Sequence, residues 1–435
     1  MAANPPVLLT NLRLIDGTGG DPREDWELLV EDGRISRSAP AGTVLGAAVP
    51  GTEAGTREDG EPAEAPDRAR LRVLDLAGAA VLPGFIDCHV HMTTVPGGDR
   101  LDLIGSQSSL RTLRGARFLR ETLHAGVTTV RDLSGADAGM RAAVEEGSVP
   151  GPRLLVALRI LSITGGHGDW RALNGVDLTG GSGGGVVADG PDEFVRATRA
   201  VVREGGDWIK IAASGGMTSP RGMPEHGGLT REEMAAVVTE AGRHGGIGVA
   251  AHAQGTRAVA DAVAAGVRSI EHGYGIDDAT IQEMGERGTF LVPTLSTLTR
   301  PAEARQPTPQ QETPHQSHLR RFRELAVERL HVAVSSGIPI ALGTDAGVVP
   351  HGSNLREVAL LVRFGLSPLQ AITAGTSAAA RLLGLDGETG TLREGLAADL
   401  IAVRGDPLAD PGVLAEPDAI RLVMRQGSIE RKEIL

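Results

Sequence analysis

At 435 residues the chain is long for one ordinary domain, and its formal net charge of −12 is too acidic for a general nucleic-acid binder, which needs a basic face against phosphates. Its 41% hydrophobic and 23% charged residues exclude a disordered or collagen-like chain, and with 2% aromatics the core must be filled by Ala, Val, Leu and Ile. Such a core suits parallel strands buried on both faces. A single cysteine, Cys88, excludes an intramolecular disulfide, and neither a secretory leader nor a bilayer-spanning apolar run is legible, so a cytoplasmic enzyme with no membrane partner is expected.

Residues 7–15 (VLLTNLRLI) and 27–35 (ELLVEDGRI) read as short strands, with EDGR as a hairpin turn. From 39 to 70 the composition shifts to Ala, Gly, Pro and acids without periodicity, which predicts an exposed excursion. Apolar, β-rich segments then alternate with helical ones. Eight of them read as strands: AVLPGFIDCHVH (80–91), 127–132, 153–159, 208–214, 247–253, 267–273, 289–295 and 338–347. Helical patterns such as PDEFVRATRAVVREGG and TREEMAAVVTEAGRHG fall between them. The Gly-rich stretch 179–185 and the Pro/Gln-rich stretch 301–314 read as loops, either solvated or lid-forming. Beyond the eighth strand two helices precede a return to strand patterns. The fold expected is therefore α/β, a (β/α)8 TIM barrel at 78–389 with a small β-sandwich domain formed by residues 1–77 and 390–435.

His89 and His91 stand two apart at the end of an apolar strand, so both side chains share a face, inward in a barrel. Imidazole pairs hold divalent metals, although two structural histidines would give the same pattern. Cys88, between them in alternation, turns to the opposite face and reads as packing. Lys210, His252, His272 and Asp345 each lie at or near the C-terminal end of a different strand, where barrel enzymes place catalytic groups. Each also has a purely structural reading. Lys210 could pair with an acid such as Asp345, the histidines could be satisfied core residues, and Asp345 could cap a helix.

The order GFIDCHVH, WIKIAASGG, AHAQG, EHGYG and GTDAG resembles the amidohydrolase superfamily, in its subgroup of binuclear Xaa-Pro dipeptidases and imidazolonepropionase-like hydrolases, over residues 7–425. The resemblance implies two divalent metal ions, zinc, with His89, His91 and Asp345 on one and His252 and His272 on the other. It further implies an N6-carboxylated Lys210 bridging them. A metal-bridging hydroxide would then cleave the amide C–N bond of a small-molecule substrate, a dipeptide or N-acyl amino acid, with Asp345 as general base and then general acid. His167 in GGHGD and His351 in VPHGSN resemble substrate-facing positions, and Arg221 and His226 could receive a substrate carboxylate. Where relatives often carry His or Tyr, this chain has Gln254, which can donate a hydrogen bond to an oxyanion but puts the substrate range in question. A homo-oligomer is expected by analogy. Two other readings stay open: a cyclic-amide hydrolase of the imidazolonepropionase type, and a catalytically silent scaffold barrel.

Overall fold

The computed structural model describes residues 5–44, 71–98, 105–171, 174–176, 185–217, 223–299 and 313–433. Most of the excursion read at 39–70, and most of the loops at 179–185 and 301–314, fall outside these residues. The chain forms two compact units, Met1–Phe85 with Pro368–Leu435, and Ile86–Ser367.

In the first unit, β1 (Val7–Leu14), β2 (Arg23–Glu31), β3 (Arg34–Pro40), β4 (Arg72–Asp75) and β5 (Ala80–Pro83) join Leu400–Val403, Ile420–Arg425 and Ser428–Lys432 in one mixed eight-stranded sheet. Alternation sends Val7, Leu9, Leu28 and Val30 to a core shared with Leu400, Ala402, Leu422 and Met424, while Leu8 and Leu29 pack with Val44 in a second. EDGR is the predicted turn. Glu31 pairs with Arg34 across Asp32 (φ +48°) and Gly33 (φ +78°), the left-handed geometry that a two-residue hairpin requires. The two ends of the sequence meet at β5, parallel to β1 on one side and antiparallel to Leu400–Val403 on the other. Residues 80–91, read as a single barrel strand, are therefore two: β5 belongs to this sheet, and the chain breaks at Gly84 before the barrel begins.

The second unit is the barrel. Its strands are β6 (Phe85–Val90), β7 (Val127–Asp132), β8 (Arg153–Val156), β9 (Ile160–Ser162), β10 (Val186–Val187), β11 (Trp208–Ala212), β12 (Gly248–Ala253), β13 (Ser269–His272) and β14 (Phe290–Val292). They lie in the orders β6-β7-β8 and β10-β9-β11-β12-β13-β14, and β7–β8 and all pairs of the second set are parallel. Asp207 N donates to Val156 O, linking β8 to the start of β11.

The expected eighth strand closes the circle as a bridged segment rather than a regular ladder. Leu291 pairs with Ile340 on one side and Val90 with Ala346 on the other, and Cys88 N donates to Leu342 O and Asp345 N to His89 O. Two residues break the regularity. Asp345 sits at φ +61°, and Gly343 passes so close to its neighbours that a Cβ would stand 2.3 Å from Val292 and 2.9 Å from the His89 Cβ.

Helices alternate with these strands, among them Ser108–His124, Pro191–Arg203, Arg231–Gly242, Thr256–Ala265, Asp278–Arg287 and Pro314–Ser335. Thr230 and Glu233 form a capping box at the start of Arg231–Gly242, which fixes where that helix begins. Among the described residues no helix is long and apolar enough to cross a membrane.

Candidate metal centre

The barrel strands bring His89, His272 and Asp345 together. One ligand atom from each lies within 4.8 Å of the others, and all three residues are buried. His89 comes from β6, His272 from the end of β13 and Asp345 from the closing segment, so no two share an element. Both His272 (φ +73°) and Asp345 (φ +61°) hold left-handed backbone, which L-residues with a Cβ adopt only where surrounding structure compels it.

Each ring is fixed from behind. His89 Nδ1 lies 2.9 Å from Glu271 Oε2, which leaves Nε2 facing Asp345 Oδ1 at 3.5 Å. His272 Nδ1 lies 2.7 Å from Thr294 Oγ1, whose other neighbour is the Tyr274 hydroxyl at 3.3 Å. Asp345 also meets His91 Nε2 at 3.2 Å and accepts from Thr297 Oγ1 at 3.5 Å. Burial holds His89 well below the usual histidine range and takes His272 down to about 3, so both rings are neutral and carry a lone pair. Burial alone would raise Asp345, but the fields of His89, His91 and His272 outweigh it and keep the carboxylate ionised. Two neutral imidazoles and one carboxylate, their outer atoms already bonded, suit a divalent transition-metal ion.

The centre implied by the resemblance, a zinc pair bridged by carboxylated Lys210, is not what the side chains assemble. Among the described residues, the His, Cys, Asp and Glu ligand atoms that converge in a group of three or more are those of His89, His272 and Asp345. His252 is drawn elsewhere: its Nε2 lies 3.0 Å from Gly215 O and its ring stacks on His167, centroids 4.1 Å apart. His91 is held by Ser134 O at 3.0 Å from Nδ1, and burial, which acts downward on its pKa, is outweighed by Asp345, which raises it. Lys210 is buried with no hydrogen-bond partner at Nζ, and burial brings its pKa down to about 8. The site is one triad, not a bridged pair.

The residues read as substrate contacts scatter. His167 is half-buried against His252, and Gly216 lets the two rings meet, since a Cβ there would stand 2.9 Å from His167 Cε1 and 3.0 Å from His252 Nε2. Gln254 is buried and its Oε1 accepts from Met217 N at 3.1 Å, so its carbonyl ties the loop after β11. His351 stacks on Phe118 with centroids 4.1 Å apart and its Nε2 lies 3.0 Å from Thr94 O. His226 is exposed and its Nδ1 accepts from Met223 N. Arg221 lies outside the described residues.

Beneath the triad lies a charged layer that sequence reasoning missed. Arg131 is fully buried, donates to Cys88 O at 2.6 Å, to Ser269 Oγ at 3.1 Å and to Glu271 Oε1 at 2.8 Å, and lies over the Trp208 ring. Asp87, also fully buried, accepts from His89 N, from both the amide and hydroxyl of Thr344 and from Asn354 Nδ2, clamping β6 to the segment that carries Asp345. The available signal was a charge inside each apolar strand, in FIDCHVH, VTTVRD and VRSIEHG, where an unpaired ion would be costly.

Residues 80–429 match the Amidohydrolase family. The chain is 33% identical over 375 residues to the ochratoxinase of Aspergillus niger, covering 80% of this chain and 75% of that relative. It is 25% identical over 393 residues to the imidazolonepropionase of Cutibacterium acnes, covering 81% and 80%. Among solved structures, a Xaa-Pro dipeptidase with methionine bound in its active site superposes with a TM-score of 0.82 at 28% identity, covering 98% of this chain and 99% of that one.

Proposed function

We propose, from the premise that this chain belongs to the amidohydrolase family, that it hydrolyses an amide C–N bond in a dipeptide or N-acyl amino acid at a single divalent-cation centre. The observation that carries the reading is the convergence of His89, His272 and Asp345 from three separate barrel segments. The similarity to an ochratoxinase and to a Xaa-Pro dipeptidase supports the choice of bond and substrate class.

His89 Nε2, the Nε2 of His272 and a carboxylate oxygen of Asp345 would hold the cation. Bound there, it would act as a Lewis acid, polarising the scissile carbonyl and making water more acidic. Asp345 takes the proton of the attacking water on its carboxylate and returns it to the departing nitrogen, as base and then acid. His91, 3.2 Å from Asp345 Oδ1, holds that carboxylate in place through the exchange. Lys210 supplies a buried ammonium with unspent donors, suited to an anionic oxygen of the substrate. The stacked His167 and His252 rings form one wall of the pocket.

A second reading, opening of a cyclic amide, is favoured by the triad being a single site and by the imidazolonepropionase relative. One experiment separates the readings. Purified protein, stripped with a chelator and reloaded, is assayed for bound ion per chain and screened against dipeptides, N-acyl amino acids, lactams and lactones. The proposal expects one ion per chain and turnover of an open-chain amide. Turnover of lactams alone selects the second reading, and an ion-loaded protein that cleaves no amide defeats both.

A further inference from the structure

We infer that Glu357, which touches none of the three ligand residues, sets their geometry by pinning the turn that orients two of them. Glu357 lies on the helix Arg356–Arg363 and is completely buried. Its Oε1 accepts from Leu295 N at 2.6 Å, and its Oε2 accepts from Ser296 N at 2.8 Å and Ser296 Oγ at 2.6 Å. Three donors converge on one carboxylate, so an acceptor-only side chain fits where an amide would bring an N–H against an N–H.

Those donors begin the one-turn helix Leu295–Leu298, and the residue before it is Thr294 at φ +49°. A β-branched residue resists left-handed backbone, so this turn is strained and holds its shape only because its neighbours are fixed. Both ends of the turn reach the centre. Thr294 Oγ1 lies 2.7 Å from His272 Nδ1, and Thr297 Oγ1 donates to Thr344 O at 3.2 Å and to Asp345 Oδ2 at 3.5 Å. With His272 donating from Nδ1 to Thr294, its Nε2 keeps the lone pair that a cation requires. Glu357 is thus a positioning residue. It fixes the amides of 295 and 296, these fix Thr294, and Thr294 fixes the tautomer and rotation of His272.

The role of His272 as a ligand rests on the proposed function, so the test reads His272 itself as well as ion binding. Nitrogen-15 spectra of the histidines are recorded on ion-free full-length protein for wild type, Glu357→Gln, Thr294→Ala and the double variant. The affinity for a divalent transition-metal ion is measured by chelator competition on the same four. The wild type should show His272 as the Nδ1–H tautomer. Glu357→Gln and Thr294→Ala should each mix the tautomers and weaken ion affinity by about 10- to 100-fold. The double variant should be no weaker than Thr294→Ala alone, because both act along one path. A Glu357→Gln variant that melts earlier yet keeps the wild-type His272 spectrum and ion affinity overturns the inference, as do losses that multiply in the double variant. Should Glu357→Gln fail to fold, an unchanged His272 signal in Thr294→Ala overturns it equally. A protein that binds no divalent ion defeats the proposed function, while the tautomer response still decides this inference.

Discussion

The His89 imidazole is oriented by Glu271, whose Oε2 lies 2.9 Å from its Nδ1, and the same carboxylate accepts from Arg131 through Oε1. One side chain therefore balances a buried guanidinium and aims a ligand. Replacing Glu271 by Gln should weaken divalent-ion affinity by about 10- to 100-fold. It should also cost about 3 kcal/mol of stability, because Arg131 is left without its counter-charge. Ion titration and urea unfolding on the same preparation check both, and an unchanged ion affinity would contradict the orienting role.

Loss of a ligand should be visible as loss of ion-dependent stability. With free ion at a hundred times its dissociation constant, a chelator should lower the unfolding free energy of the wild type by about 2.7 kcal/mol. Asp345→Asn should show no such difference and no hydrolysis. Thermal melts with and without chelator decide the point, and an ion response retained in Asp345→Asn would remove Asp345 from the site.

Gly216 is held at glycine by space alone. A methyl there would press on both rings of the His167 and His252 stack. Gly216→Ala should destabilise the fold by about 1–3 kcal/mol. If the stack walls the pocket, KM should rise more than kcat falls. A variant with wild-type stability and KM would show the contact to be slack.

Burial pushes Glu357 up to about 7, against the pull of its bonds to Ser296 and Leu295, while its ordinary value is 4.5. Between those two values the folded state holds the proton and the unfolded chain does not, so this group's contribution to stability falls as pH rises through the window. Glu357→Gln lacks the titration. The difference in unfolding free energy should therefore move in the variant's favour from pH 4.5 to 7, by up to about 1.4 kcal/mol per unit. Urea denaturation at fixed ionic strength measures it, and a difference that stays flat across the window contradicts the shift.

The barrel was legible because its strands are apolar runs separated by amphipathic helices, a pattern that depends on local sequence. The splitting at Gly84 was not, since the residues on either side are equally apolar and only their partners differ, β1 and Leu400–Val403 for one half and the barrel for the other. His89, His272 and Asp345 announced themselves by position at strand ends. The resemblance then over-assigned ligands, because whether His252 faces an ion or the Gly215 carbonyl is decided by the loop after β11, and no motif encodes that rotation. Asp87, Arg131 and Glu271 were readable as charges in apolar strands, but Glu357 was not. Its importance comes from a contact 62 residues away in sequence, made to backbone amides that any residue would supply.

His272 and Asp345 hold a backbone shape that glycine would adopt without resistance. The two positions that the proposed chemistry needs most are thus positions where the polypeptide would rather have no side chain at all. A version of this barrel selected only for heat resistance would be drawn to Gly at 272 and 345, and would become sturdier and inert by the same two changes. Robustness and reactivity are opposed here at two identifiable peptide units, so any effort to harden this protein must leave those units alone and seek its gains elsewhere.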